Sequence, residues 1–312
     1  MPNVLTPMEY IKILYTTDWH LCSKCPGKRA EHNFFDLQVA KVDEIIKFAI
    51  EEKVTAIIHG GDFFDSPRID YWLLNMMIAK FNELQEHGID VYLVPGSHDM
   101  YGYNINSIHS TAIGALEATG LISILNGPTK ICDINIMAIP ATLQHGLDLY
   151  TNLGADVNMV ISHNTLTPEP VPYSHILLKD LPGTDRIYLL GHYHKFIMCN
   201  LNGNTFLNPG PLIRTDISEQ AHTPGVILLT YDESSHIKLV QRRRLVSAKA
   251  DVFVKETEVP ATLDFVDSIR STTFKYCDLF DLTKQIAKSI NAPKDVLDGA
   301  LMRLEKVQKE IA

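Results

Sequence analysis

Apolar and polar positions along the chain follow two rhythms in turn. Residues 11–16 alternate with the period of a half-buried strand. From about Asn33 the apolar residues Phe34, Leu37, Val42, Ile45, Ile46 and Ala49 fall on one helical face. The apolar run 54–58 predicts a buried strand. Residues 69–87 predict a helix whose apolar face takes in Trp72, Leu73, Met76, Met77 and Phe81 and which stops at Gly88. A third strand is predicted over 89–94 and a third helix near 107–119, ended by Gly120. Strand and helix alternating in this way make a largely parallel sheet with covering helices. In such sheets ligands bind beyond the carboxyl ends of the strands.

From residue 121 the pattern shortens. Strands are predicted over 121–125, 130–139, 157–162, 187–190 and 196–201. Asn202-Gly203 predicts a two-residue hairpin turn leading to a partner strand at 204–207. Residues 226–231 and 236–241 predict a second hairpin. Two sheets face to face, flanked by helices, accommodate this order. Residues 246–260 read as a thin connection. Helices follow near 263–270, 281–290 and 293–311, the last amphipathic through Val296, Leu297, Leu301, Leu304, Val307 and Ile311. That final helix packs on its own domain or docks on a partner, and its pattern does not choose between them.

Composition narrows the function. The 312 residues are 46% apolar, enough for a large core and, at roughly 150 residues each, about two domains. The net charge of −9 supplies no global field toward nucleic acid, so a nucleic-acid substrate requires local patches, metal ions or a partner. No secretory signal is evident and no apolar run reaches the roughly 20 residues of a membrane span. Five cysteines are an odd, sparse set, expected as reduced thiols in a cytoplasmic compartment, and the lone Cys22-x-x-Cys25 lacks the second pair of a structural zinc site.

The thirteen histidines matter through their positions. Five clusters, each after a predicted strand, carry candidate chemistry: Asp18-x-His20, Gly61-Asp62, Ser97-His98-Asp99, His163 and Gly191-His192-Tyr193-His194. In an extended segment alternate residues point the same way, so Asp-x-His and His-x-His each aim two side chains at one place, with Tyr193 pointing away. Taken alone, each cluster reads as an ordinary turn or a satisfied histidine. Together they suit two divalent ions about 3.5–4 Å apart, held by mixed oxygen and nitrogen ligands with a shared carboxylate. A Ser-His-Asp triad at 97–99 is set aside, because adjacent side chains of one turn do not align as nucleophile, base and orienter. His59 is either a strand-end residue or a support behind the ligands. His109, His145 and His175 read as surface residues. Arg242-Arg243-Arg244 reads as a solvated strand end or a phosphate contact.

These five clusters, in this order, resemble those of the calcineurin-like metallophosphoesterase family over roughly residues 10–245. Finer features resemble the SbcD-like branch, nuclease subunits of double-strand-break repair complexes. They are Gly61-Asp62-Phe63-Phe64-Asp65, the run Asn208-Pro209-Gly210-Pro211-Leu212-Ile213-Arg214, and the strand pair near 226–241. The resemblance implies a four-layer α/β/β/α sandwich over 1–245, with a small cap and C-terminal helices over 246–312. It implies that Asp18, His20, Asp62 and His194 hold one ion, and Asp62, His163 and His192 the second. His98 would be the catalytic acid and Asp99 its orienter. The ions would be manganese, with magnesium, iron or zinc compatible with the ligand mix. It further implies DNA as substrate, an SbcC-type coiled-coil ATPase as partner, and a homodimer.

Two positions depart from the family pattern. Ser97 stands where the family usually has an asparagine ligand to the second ion, and Asp65 where its nucleases often carry a histidine tied to the handling of DNA ends. Lys24, Lys28, Arg29, Asp65 and Arg214 are the expected substrate contacts. The rival readings are a hydrolase of small nucleotides or cyclic nucleotides, and a weakly active scaffold with a degraded second ion site.

Overall fold

In the computed structural model, residues 10–31, 33–143, 146–231 and 237–253 are described, with Lys284, Lys294, Leu297, Asp298, Leu301 and Met302. Those last six are helical; the remainder of the helices expected over 263–311 lies outside the described residues, as does His145. The chain divides into two units, 1–258 and 259–312.

The first unit begins as its pattern requires. Strand β1 (Ile11–Thr16), helix α1 (Phe34–Glu52), β2 (Ala56–His59), helix α2 (Tyr71–Glu86) and β3 (Asp90–Leu93) follow one another. Helix α3 (Ala112–Ala118) leads to the short β4 (Ser123–Ile124). β1, β2, β3 and β4 pair in parallel, each with the next. Next come β5 (Gly127–Ile131), β6 (Ile134–Ile139), the one-turn α4 (Asp148–Thr151), β7 (Met159–Ser162), and the two-residue β8 (Leu166–Thr167) and β9 (Ile176–Leu177). They are followed by β10 (Ile187–Leu190), β11 (Ile197–Leu201), β12 (Asn204–Asn208), β13 (Gly225–Tyr231) and β14 (Ile237–Arg244). One sheet runs β14-β13-β1-β2-β3-β4 and the other β11-β12-β10-β7-β6-β5.

Alternation along the strands sorts the core into layers. Leu14 faces the helices with Val42, Ile45, Leu73, Met77 and Phe81, while its neighbours Ile13 and Tyr15 face the second sheet. There they meet Ile136, Met159, Ile161, Leu189 and Leu207. On that sheet's far side Val160, Tyr188, Leu190 and Phe206 pack under Tyr150, Leu166 and Leu178. This is the α/β/β/α sandwich, with a fourth layer that is thin among the described residues: α4, a 3₁₀ turn at Leu178–Asp180 and the β8–β9 pair.

Three local expectations fail for identifiable reasons. The third helix is two pieces, a 3₁₀ turn Ile105–Ser110 and α3, because Thr111 is extended and its side chain caps α3 by accepting from Gly114 N. The run 130–139 is a hairpin: Cys132 and Asp133 adopt φ of 48° and 65°, a turn with no Asn-Gly to announce it. In α2 the buried face is Leu73, Met77, Phe81 and Leu84; Trp72 is exposed and stacks edge-on against Phe35. Residues 246–253 are a clamp rather than a loose connection. Glu44 of α1 accepts from the backbone N–H of Val246 and Ser247, and Asp251 meets Arg29, Lys41 and Arg214.

Candidate metal centre

The loops that leave β1 and β2 are laced together before they carry any chemistry. Asp18 N donates to Gly61 O, His20 N to Asp62 O and Leu21 N to Phe63 O, at 2.9, 3.0 and 3.1 Å. Four of the candidate ligands have left-handed backbone: Asp18, His20 and Asp62 within this pairing, with φ of 50°, 46° and 51°, and His192 after β10, with φ of 67°. Asp and His tolerate that region better than most residues, yet it still costs about 1 kcal/mol each. Close approach is built in as well. A side chain at Gly61 would run into the His163 ring, and one at Gly96 into the Asp62 carboxylate.

Two largely buried groups result, and one more exposed. Asp18, His20 and His194 have ligand atoms within 4.8 Å of one another, and so do Asp62, His163 and His192; the exposed set is His20, Asp65 and His98. His20 Nε2 and His194 Nε2 face each other at 3.1 Å, and His194 Nε2 stands 3.5 Å from Asp18 Oδ1. In the second group His163 Nε2 is 3.0 Å from Asp62 Oδ2, the same oxygen that lies 3.8 Å from His20 Nε2. Asp62 therefore joins the groups. His163 donates through Nδ1 to Gly60 O at 2.6 Å, which leaves its buried Nε2 without a hydrogen-bond partner and aimed into the site. Ring nitrogens that face each other, and an orphaned buried nitrogen beside two carboxylates, are what a pair of divalent cations would satisfy. The donor set fits.

The charges agree. Burial alone would raise the Asp18 and Asp62 carboxyls, but the histidines around them outweigh it, and both are held well below the usual carboxylate range. Burial likewise opposes charge on His163 and His194. The Asp62 carboxylate still lifts His163 to about 9, and hydrogen bonding to Asp18 and Glu219 lifts His194 to about 10. His192 is pushed down to about 4 by burial and by the charge of His163. Cations entering such a site displace the histidine protons.

Ser97 donates its hydroxyl to Asp62, at 3.2 Å from Oδ2, and His98 N donates to Asp62 Oδ1 at 2.7 Å. The His98 ring is half-exposed at the rim, edge-on to His20. Asp99 does not orient it. Asp99 is fully buried, with Oδ1 accepting from Phe63 N and Phe64 N and Oδ2 from Gly96 N, so it fastens the loops instead. Its carboxyl is raised to about 6, by burial first and then by the Asp62 charge. The partner of His98 is Asp65, whose backbone carbonyl accepts from His98 Nδ1 at 2.9 Å and whose carboxylate is 3.7 Å away. The Asp65 carboxylate also stands 3.4 Å from His20 Nδ1.

Arg29 and Arg214 are not substrate contacts. Both are buried, and both guanidiniums bind Asp251 and flank the Phe253 ring. Removing them from water is tolerable only because those partners are present. Lys24 is exposed and lines a cleft of about 380 Å³ with Asp65, Ser66, Arg68 and Asp70, and Lys28 is half-buried in the same loop. On the other side of the centre a cleft of about 610 Å³ is lined by His192, His194, Lys195, Phe196 and Glu219. Arg242 lies 3.7 Å over the Phe196 ring there. His59 supports from behind, its Nδ1 accepting from Gly61 N at 3.2 Å.

The residue the sequence reading missed is Glu219, which holds His194 Nδ1 at 2.5 Å. Its signal was the capping box Asp216-x-x-Glu219, complete in the structure. Asn208 is a second omission: it donates to Tyr193 O, fixing the turn between the two histidines.

A family model described as calcineurin-like phosphoesterase matches residues 11–227, from β1 into β13. The chain belongs to the calcineurin-like phosphoesterase family. Among the relatives of this phosphoesterase, the DNA double-strand break repair protein Mre11 of Sulfurisphaera tokodaii is 27% identical over 95% of this chain and 77% of its own. The protein of the same name from Methanosarcina mazei is 24% identical over 78% of this chain, which spans only 39% of that relative's length. A solved dimetal phosphatase from Danio rerio aligns with a TM-score of 0.49 at 11% identity, over 78% of this phosphoesterase and 98% of that chain. Among the described residues no helix is long and apolar enough to cross a membrane.

Proposed function

We propose that this phosphoesterase is a two-metal DNA nuclease of the double-strand-break repair type. The observation that carries the reading is the meeting of two histidine–aspartate groups at one carboxylate, Asp62, with an exposed histidine at the rim. The names of the relatives in Sulfurisphaera and Methanosarcina support the substrate.

Asp18, His20, Asp62 and His194 would hold one ion, and Asp62, His163 and His192 the other. Manganese is the proposed metal, and such ions supply Lewis acidity toward a phosphoryl oxygen and an activated water. His98 is the general acid for the leaving oxygen. Asp65 sets its ring by accepting at Nδ1, which leaves Nε2 facing the open rim. Ser97 holds the shared carboxylate through a hydroxyl proton, and this serine, not a longer amide, would be the neighbour of the second ion. The clefts on either side of the centre admit a strand: Lys24 and Arg68 line one, and Lys195 and Phe196 the other. With a net charge of −9, much of the attraction for DNA would come from the ions and from an SbcC-type coiled-coil ATPase. Residues 1–245 would form the catalytic domain and 246–312 the region that meets the ATPase, in a cytoplasmic homodimer.

Manganese-dependent cleavage of linear and hairpin DNA tests this. The wild-type chain should cut both, and His98→Ala should lose about 10²–10⁴-fold in turnover. Ser97→Asn should bind the second ion at least as tightly and cleave at least as fast. Turnover of a chromogenic phosphodiester without any cleavage of DNA would replace the nuclease reading with that of a small-phosphoester hydrolase.

A further inference from the structure

His194 sits at the end of a short chain of hydrogen bonds that starts in the backbone and finishes in the candidate metal centre. Its Nδ1 donates to Glu219 Oε1 at 2.5 Å. The second Glu219 oxygen, Oε2, accepts from Thr215 N at 2.7 Å and Asp216 N at 3.1 Å. Glu219 is buried, and both its oxygens are taken up by donors of the protein. The carboxylate thus has one orientation, and because an ionised carboxylate can only accept, it assigns the Nδ1 proton to the histidine. His194 Nε2 is left as the ligand nitrogen, 3.1 Å from His20 Nε2 and 3.5 Å from Asp18 Oδ1.

We propose that Glu219 is the positioning residue for the ion held by Asp18, His20 and His194: it fixes the ring and tautomer of His194 and strengthens that nitrogen as a ligand. This rests on the metal reading of His194 given above. Among the described histidines of the centre, His163 is held from behind by a neutral carbonyl, Gly60 O, and His194 by a buried anion. A carboxylate behind a ligating histidine raises its basicity, and loss of such a group weakens metal affinity roughly 10–100-fold. Glutamine cannot take the place of Glu219. Its NH₂ would confront either the N–H groups of Thr215 and Asp216, losing two hydrogen bonds, or the Nδ1–H of His194, losing one. The cleft beside His194 does not explain the residue, since both its oxygens are already committed.

The test is manganese titration of the full chain by calorimetry, comparing wild type, Glu219→Gln and Glu219→Ala, with melting of each metal-free protein as control. One ion should bind roughly 10–100-fold more weakly in both variants while the other is unchanged, and formate should restore part of the affinity of Glu219→Ala. A folded variant that binds both ions as tightly as wild type overturns the proposal. So does a change confined to the melting temperature. Nuclear magnetic resonance of the metal-free wild type decides the point without any variant: His194 should show a far-downfield Nδ1–H proton protected from exchange, and its absence overturns the proposal. If the wild type bound no manganese, the metal reading would fall, and this proposal about ion affinity with it.

Discussion

The two halves of the candidate metal centre are built to different standards. The Asp62–His163–His192 half rests on the sheets: His163 is wholly buried at the end of β7, and its ring is pressed between Gly61 and Gly191 and bonded to the Gly60 carbonyl. The Asp18–His20–His194 half reaches outward. His194 has a side chain 29% exposed and is held by a glutamate from a 3₁₀ turn, Ile217–Glu219. That turn is in turn secured by Arg214, which donates to the carbonyls of Gln220 and His222 and is gripped by Asp251. One half depends on the core, the other on a brace that runs from residue 251 to the site. A brace can be loosened without unfolding the sheets, and the first half cannot.

Asp62→Asn should have the largest effect, because it removes the charge both halves share. Loss of both ions and about 10³-fold in phosphodiester turnover is expected, read by metal stoichiometry and initial rates. Retention of either ion at full affinity would show that the halves are independent.

Asp251→Asn tests the brace. It leaves Arg29, Lys41 and Arg214 around a neutral amide, a broken buried ion pair worth about 3–5 kcal/mol in urea unfolding. Among molecules still folded, affinity for the ion at His194 should drop and that at His163 should hold. Equal weakening at both would erase the distinction.

A smaller effect comes with pH. Burial raises the Asp251 carboxyl, but Lys41 and the arginines outweigh it and leave it below its ordinary 3.8. A carboxyl depressed by folding contributes stability that is complete above its unfolded value and is lost as pH falls through the folded one. The difference in urea midpoint between wild type and Asp251→Asn should therefore be constant at neutral pH and shrink below pH 3.8. A difference that grows on acidification would place the stabilisation elsewhere.

The sheets, and most of the residues that meet as candidate ligands, could be read in advance, and the reason is local. Alternation in β1 and the apolar run that becomes β2 are properties of single segments, and Asp18, His20 and Asp62 follow directly from the strands that carry them. What failed was non-local. Nothing near Arg29 or Arg214 in sequence announces Asp251, so two buried cations looked like open ones. Asp99 stands next to His98, and adjacency suggested a contact that the backbone denies: Asp99 turns inward to three N–H groups while Asp65, from another loop, meets the ring. The hairpin at Cys132-Asp133 hid because a cysteine is uncommon at the first position of that turn and no glycine marks the second. The clamp at 246–253 hid because Asp251 meets Lys41, and Val246 meets Glu44, across some two hundred positions.

The left-handed corners at Asp18, His20, Asp62 and His192 set a direction for anyone who tries to make this protein sturdier. Glycine relieves the backbone at each of those corners, so a selection for heat resistance alone would favour erasing the candidate ligands, one comfortable turn at a time. A screen on this fold has to reward chemistry and endurance together, or it will return a tougher protein with an empty hand.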